Sequence, residues 1–193
     1  MNKKDQQFFS AWKDTKHFQN LLDTDWLELV DNEQELLTCV LLDTQTPLER
    51  LRKVVQYLKE RDILNYNTLS KYPKKEIAKI LKEANYIWYN SKARFFGQEI
   101  SFELANATYE QMLTIKGIGP KLASMWMRIV HDEERPIIDT HVIRFLKERG
   151  YNTKNYDNMS IAFKTEAKKL NMSIADLDRQ IVADGIRKRR GIK

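Results

Sequence analysis

The amino-acid sequence predicts an all-helical protein, on three observations. Apolar residues recur with a period near 3.6 along almost the whole chain. Four prolines and six glycines in 193 residues are too few for a turn-rich β protein. Polar and acidic residues stand where helices would begin, and proline falls where a first helical turn tolerates it. Taken in order, the pattern predicts helices over residues 5–22, 32–44, 47–61, 74–84, 91–104, 108–114, 120–131, 140–149, 160–170 and 174–186. Segment 47–61 is the clearest. Pro47 sits at its first turn, and Leu48, Leu51, Val54, Val55 and Leu58 form one apolar stripe. Thr108 is placed to cap a helix whose first turn holds Glu110. Asp157, Asn158 and Asp176 are expected to start the later helices in the same way. No long linker, repeat or low-complexity tract interrupts the series, and the basic run at 187–190 reads as a solvated terminus.

Composition bounds the partners. The length suits one domain, or one domain with a small satellite lobe. Hydrophobic residues make up 42% and charged residues 31%, an ordinary balance. Thirty-three basic against 27 acidic residues leave a charge of +6, which suits a polyanionic partner but equally suits none. Cys39 is the one cysteine, so no internal disulfide, redox pair, cysteine zinc finger or all-cysteine iron–sulfur cluster is possible. Its apolar setting, LLTCVLLD, predicts a core residue. No metal or cofactor is expected. The first 14 residues lack a signal-peptide core, and no run approaches the roughly 20 apolar residues of a membrane span. The expected location is the cytoplasm, with the nucleoid if the source is prokaryotic.

The most informative segment is 113–123, Leu-Thr-Ile-Lys-Gly-Ile-Gly-Pro-Lys-Leu-Ala. A short helix ends, Gly117 and Gly119 flank Ile118, and Pro120 opens another helix. Two glycines one residue apart allow a sharp turn with positive φ and keep side chains out of the way. Unpaired N–H groups and the positive end of the second helix then converge, which makes an anion site. Lys116, Gly117, Ile118 and Gly119 are the candidate phosphate contacts. Ile115 and Ile118 would anchor the turn, and Ala123 would let two helices pack closely.

Lys121 is the second residue of the helix that Pro120 opens. A cation is disfavoured there by a few tenths of a kcal/mol, which a surface lysine tolerates. A neutral lysine amine is also a nucleophile that forms a Schiff base with an aldehydic carbon. Asp139 follows two isoleucines and precedes an apolar-periodic helix. It reads as an N-cap, and a carboxylate held there is also placed to stabilise a nearby positive charge.

These residues resemble the signature of the helix-hairpin-helix DNA glycosylase superfamily, which includes endonuclease III and the 8-oxoguanine DNA glycosylases. In that superfamily a glycine-cornered hairpin precedes a catalytic lysine, with an aspartate 18 residues on; Asp139 follows Lys121 by 18. Upstream, 35–46 resembles the superfamily's helix and DNA-wedging loop, with Gln45 at the gap-filling position. Residues 89–93, Tyr-Asn-Ser-Lys-Ala, resemble a segment that precedes its hairpin. The similarity spans roughly residues 35–190.

The resemblance implies a two-lobed helical fold with the active site in the cleft between lobes. One lobe would comprise 31–135, with the hairpin at about 108–131; the two termini, 1–30 and 136–193, would form the other. It implies a monomer acting on double-stranded DNA that carries a damaged base or an abasic site. The base would be flipped out, Gln45 would fill the gap, and Lys121 would attack the sugar C1′. Asp139 would stabilise the charge developing on the sugar, and β-elimination through the Schiff base would cut the strand. Arg144 is a candidate phosphate contact or surface pair, and His141 a weaker acid–base candidate.

Two subfamilies compete for the lesion. The 35–46 and 89–93 segments resemble endonuclease III, which removes oxidised pyrimidines but usually carries a four-cysteine cluster. Lys116–Gly119, the Ala123–Ser124 pair, residues 170–178 and the terminal lysine resemble the compact archaeal-type 8-oxoguanine glycosylases. In that group the terminal lysine contacts the base, so Lys193 is a candidate for recognition. The group's aromatic residue just after Leu-Asp is absent here, where Gln180, Ile181, Val182 and Ala183 stand. Phe95, Phe96, Trp88 and Trp126 are candidate aromatic walls or core residues. An 8-oxoguanine enzyme is the favoured reading. A cluster-free pyrimidine enzyme and a non-catalytic helix-hairpin-helix DNA-binding protein are the alternatives.

Overall fold

The computed structural model describes residues 26–44 and 46–189. The expected helix at 5–22, Gln45 and Lys193 therefore lie outside the described residues. Helices and turns account for the regular structure among them, with no strand. The helices are α1 Glu33–Leu42, α2 Leu48–Lys59, α3 Tyr66–Leu69, α4 Lys74–Glu83 and α5 Tyr89–Lys92. They continue as α6 Tyr109–Thr114, α7 Pro120–His131, α8 Thr140–Glu148, α9 Tyr156–Lys169 and α10 Ile174–Arg189. The chain divides into two compact units, one running to Gly119 and one starting at Pro120. The boundaries expected from the resemblance, at residues 31 and 135, partition the chain differently.

In the first unit, α1 is buried on nearly every side: Leu36, Leu37, Cys39, Val40, Leu41 and Leu42 are fully inaccessible. Asn32 caps it by accepting from the Glu35 N–H at 3.0 Å. The Cys39 thiol is in this core, and burial holds its pKa well above the ordinary value. The α2 stripe behaves as its spacing predicts, with Leu51, Val54, Val55 and Leu58 buried. Pro47 stands one residue ahead of α2 as its N-cap. Tyr66 on α3 stacks on Phe96 with ring centroids 5.6 Å apart.

The expected helix over 91–104 does not form. The chain makes only α5, a 3-10 turn at Ala93–Phe95, an extended Phe96 and a second 3-10 turn at Leu104–Asn106. Gly97 breaks it, with φ +74°, and its N–H donates to Ser70 Oγ at 3.0 Å. The apolar residues in this stretch serve separate contacts rather than one helical face. The short α3 was not anticipated at all, although Asn65 caps it twice over, at Asn67 N and Thr68 N.

The second unit holds α7 to α10. Its core gathers Ile138, Val142, Leu146, Met159, Phe163, Leu177 and Ile181. Phe145 meets Phe163 edge-on at 6.3 Å. The caps differ from expectation by a few residues. Asn155, not Asp157, caps α9, because its side chain reaches the N–H groups of Asp157 and Asn158. Ser173 Oγ accepts from Asp176 N at 3.0 Å, so Asp176 lies inside the first turn of α10. Among the described residues no helix is long and apolar enough to cross a membrane.

Candidate active site

The hairpin begins with α6. Thr108 and Gln111 form a reciprocal capping box, with Gln111 N donating to Thr108 Oγ1 and Thr108 N donating to Gln111 Oε1. Ile115 and Ile118 are buried, and the Ile118 N–H closes the turn on the Ile115 carbonyl at 2.9 Å. Ala123 is fully buried.

The two glycines serve different ends. Gly117 has φ +102°, and a Cβ there would fall 2.6 Å from the Phe95 ring. Gly119 does not have positive φ, and a Cβ there would meet nothing within 4 Å. Only the first glycine is demanded by backbone and packing, so the expectation that both turn the chain is corrected. The second leaves open space at the start of α7. Helix starts carry N–H groups without intrahelical acceptors, so this space borders a cluster of donors.

Sequence reasoning missed the residue that seats the turn. The Gln98 side chain pairs with the backbone of Lys116 on both sides. Lys116 N donates to its Oε1 at 2.7 Å, and its Nε2 donates to the Lys116 carbonyl at 2.9 Å. The Lys116 side chain remains exposed.

Lys121 is half-buried in the first turn of α7, a turn without an acidic residue. Asp139 is half-buried and caps α8, as its sequence position predicts. Its Oδ1 accepts from His141 N at 2.8 Å and from Val142 N at 2.9 Å. Both cap bonds fall on one oxygen, so the cap makes no use of Oδ2. A second carboxylate, Asp178 on α10, lies within electrostatic reach of both Lys121 and Asp139. Burial pushes the Asp178 carboxyl up, Arg128 opposes that, and Asp139 and Lys121 act on it with opposite signs.

The other candidates fall elsewhere. Arg144 is exposed and, with His141, Phe145, Leu177 and Ile181, lines a pocket against α10. His141 Nδ1 is buried against Gly185 without a hydrogen-bond partner. Phe96 and Trp126 are core residues, Phe95 backs Gly117, and Trp88 is exposed. Another residue missed in the sequence is Lys92. Its buried ammonium donates to the Leu41 carbonyl at 2.5 Å and to Thr44 Oγ1 at 2.8 Å, one residue before Gln45.

The family described as Ogg-HhH, 8-oxoguanine DNA glycosylase, matches residues 13–176, most of the chain. The chain belongs to this family. It is thus a DNA glycosylase by family, with DNA as the substrate that family handles. Solved structures agree on the fold. The H. pylori 3-methyladenine DNA glycosylase MagIII is 19% identical, over 93% of this chain and 100% of that one, with a TM-score of 0.62. The Thermotoga maritima 8-oxoguanine DNA glycosylase Tm1821 is 20% identical over 92% of each chain, at a TM-score of 0.59. The Methanocaldococcus jannaschii 8-oxoguanine glycosylase/lyase, solved with DNA containing 8-oxoguanine, is 23% identical. That match covers 93% of this chain and 86% of that one, with a TM-score of 0.57.

Proposed function

We propose that the chain is a bifunctional DNA glycosylase and AP lyase that excises 8-oxoguanine from duplex DNA. The observation that carries the reading is that Lys121, in the first turn of α7, and Asp139, at the start of α8, both lie within electrostatic reach of Asp178. The Lys121 amine attacks C1′ of the flipped nucleotide, the N-glycosidic bond breaks, and the base leaves with the bonding pair and is protonated. The attached nitrogen loses a proton, and its lone pair then forms a C=N bond as the C1′–O4′ bond breaks; O4′ keeps that bonding pair and takes up a proton as a hydroxyl, leaving a Schiff base between Lys121 and the opened sugar. Removal of a C2′ proton then expels the 3′ phosphate and cuts the strand. Asp139, whose cap bonds use Oδ1, offers Oδ2 to the cationic sugar.

The remaining parts follow the same reading. The turn of Lys116, Gly117, Ile118 and Gly119 takes a DNA phosphate on the glycine N–H groups and the exposed Lys116 side chain, since the N–H groups of Lys116 and Ile118 donate within the protein; Arg144 adds a second phosphate contact, Gln45 fills the vacated stack and Lys193 touches the base. The enzyme works as a monomer. The family match supports 8-oxoguanine over an oxidised pyrimidine.

The test uses duplexes carrying 8-oxoguanine, thymine glycol or an abasic site, treated with borohydride. Wild-type protein is expected to form a covalent adduct, with 8-oxoguanine excised fastest of the two damaged bases. Lys121→Gln should trap none. Asp139→Asn should fold, because asparagine also caps, yet excise roughly 100-fold more slowly. Adduct persisting in Lys121→Gln, or wild-type rates in Asp139→Asn, would overturn the assignment.

A further inference from the structure

Helix α7 places Lys121, Ser124 and Arg128 at intervals of three and four residues, hence along one face. Ser124 and Arg128 are buried. Arg128 reaches directly, and Ser124 through Tyr156, the segment 132–138, which leads to Asp139 and has no helix or strand of its own. Arg128 donates from Nε and Nη2 to the Arg135 carbonyl, at 3.1 and 2.6 Å. Ser124 Oγ lies 3.2 Å from the Tyr156 hydroxyl. That hydroxyl in turn meets the Pro136 carbonyl at 3.2 Å and accepts from Ile138 N at 3.3 Å.

Arg128 has a second task. Its Nη1 donates to Asp178 Oδ2 at 2.7 Å, an ion pair whose side chains are 4% and 12% exposed. One guanidinium thus joins the helix bearing Lys121, the arm bearing Asp139 and the helix α10 bearing Asp178. A buried ion pair is a poor stabiliser, since two apolar side chains of similar volume often serve as well or better. Its distinctive property is directional: a planar fork holds two acceptors at fixed angles, which a lysine does not.

We infer that Arg128 and Asp178 are positioning residues for the Lys121–Asp139 chemistry. The pair fixes the arm of Asp139 against the helix of Lys121 and keeps a second carboxylate beside them. This inference rests on the reading of Lys121 and Asp139 as the reacting groups.

The experiment compares Arg128→Lys, Asp178→Asn and the double variant Arg128→Met/Asp178→Leu with wild type. It measures thermal unfolding, duplex affinity and the single-turnover excision rate. The double variant should melt at or above the wild-type temperature. It should bind duplex within roughly threefold of wild type yet excise about 100-fold more slowly, as expected for misplaced reacting groups. Arg128→Lys should also be slow, because charge is kept and the fork is lost. A merely structural pair predicts instead that rate recovers with stability. Wild-type excision in the stable double variant therefore overturns the inference. If the double variant does not fold, wild-type rates in Arg128→Lys and Asp178→Asn overturn it. Failure of wild-type protein to trap any adduct refutes the lysine reading first and removes this inference with it; full wild-type trapping with unimpaired variants refutes this inference alone.

Discussion

At the residue scale, the two hairpin glycines are chemically alike and physically unlike. Gly117 is strained by any side chain, through its φ of +102° and the Phe95 ring beneath it. Gly117→Ala should cost roughly 1–3 kcal/mol of stability. Gly119→Ala should leave stability within about 0.5 kcal/mol, since its Cβ enters open space. It should nevertheless weaken duplex binding, because that space is where a phosphate would approach the helix start. Denaturant unfolding and duplex titration on the same two proteins separate the effects; unchanged affinity in Gly119→Ala would remove the hairpin from the DNA interface. The sequence made the glycines and the Lys121–Asp139 spacing visible, because each is local or periodic. It did not reveal the Gln98 clasp on Lys116, or Asp178 opposite Arg128, 50 residues away. Periodicity says which face of a helix is buried, not which polar atom on it will meet which partner.

At the element scale, the same limit explains the 91–104 segment. Its apolar residues suggest one helical face, yet Phe96 is needed against Tyr66 and Gly97 turns the chain directly after it. Tertiary contacts took precedence over local pattern there. Elements with a strong stripe and a proline at the start, α2 and α7, are legible to within a residue or two at each end. Lys92 belongs to this scale as well, because it links α5 to the end of α1. Lys92→Met keeps the length of the side chain but leaves the Leu41 carbonyl and Thr44 hydroxyl without this donor. We expect a loss of about 1–3 kcal/mol, read from the urea midpoint. An unchanged midpoint would mean that water replaces the ammonium at no cost.

At the scale of the whole molecule, the all-helical class was legible because nothing in the sequence competes with it. The division at Gly119 and Pro120 was not, since it falls inside a motif rather than at a linker. Charge distribution was equally hidden. A net charge of +6 does not disclose that one carboxylate, Glu166, gathers three partners. Tyr151 donates to it at 2.6 Å, Lys169 at 2.8 Å, and Arg149 pairs with it at 3.1 Å. The hydrogen bonds from Lys169 and Tyr151, in that order, hold its pKa below the ordinary carboxylate value. A lowered carboxylate pKa stabilises the fold above the unfolded-state value, and the gain is lost as pH falls through the folded-state value. Wild type should therefore be more stable than Glu166→Gln at neutral pH, with the gap closing below about pH 4. Urea midpoints at both pH values would decide; a gap independent of pH would show that the ionised carboxylate contributes nothing.

Cys39 carries a consequence for handling the protein. Oxidants and alkylating reagents act on the thiolate, and they must first reach it. This thiol is sealed in the core around α1 and held in its protonated form. The native chain can therefore be kept in air without a reducing agent, with no cross-linking through sulfur. Its one thiol becomes available to solution only in molecules whose core has opened, so sulfur chemistry counts unfolded chains and ignores folded ones.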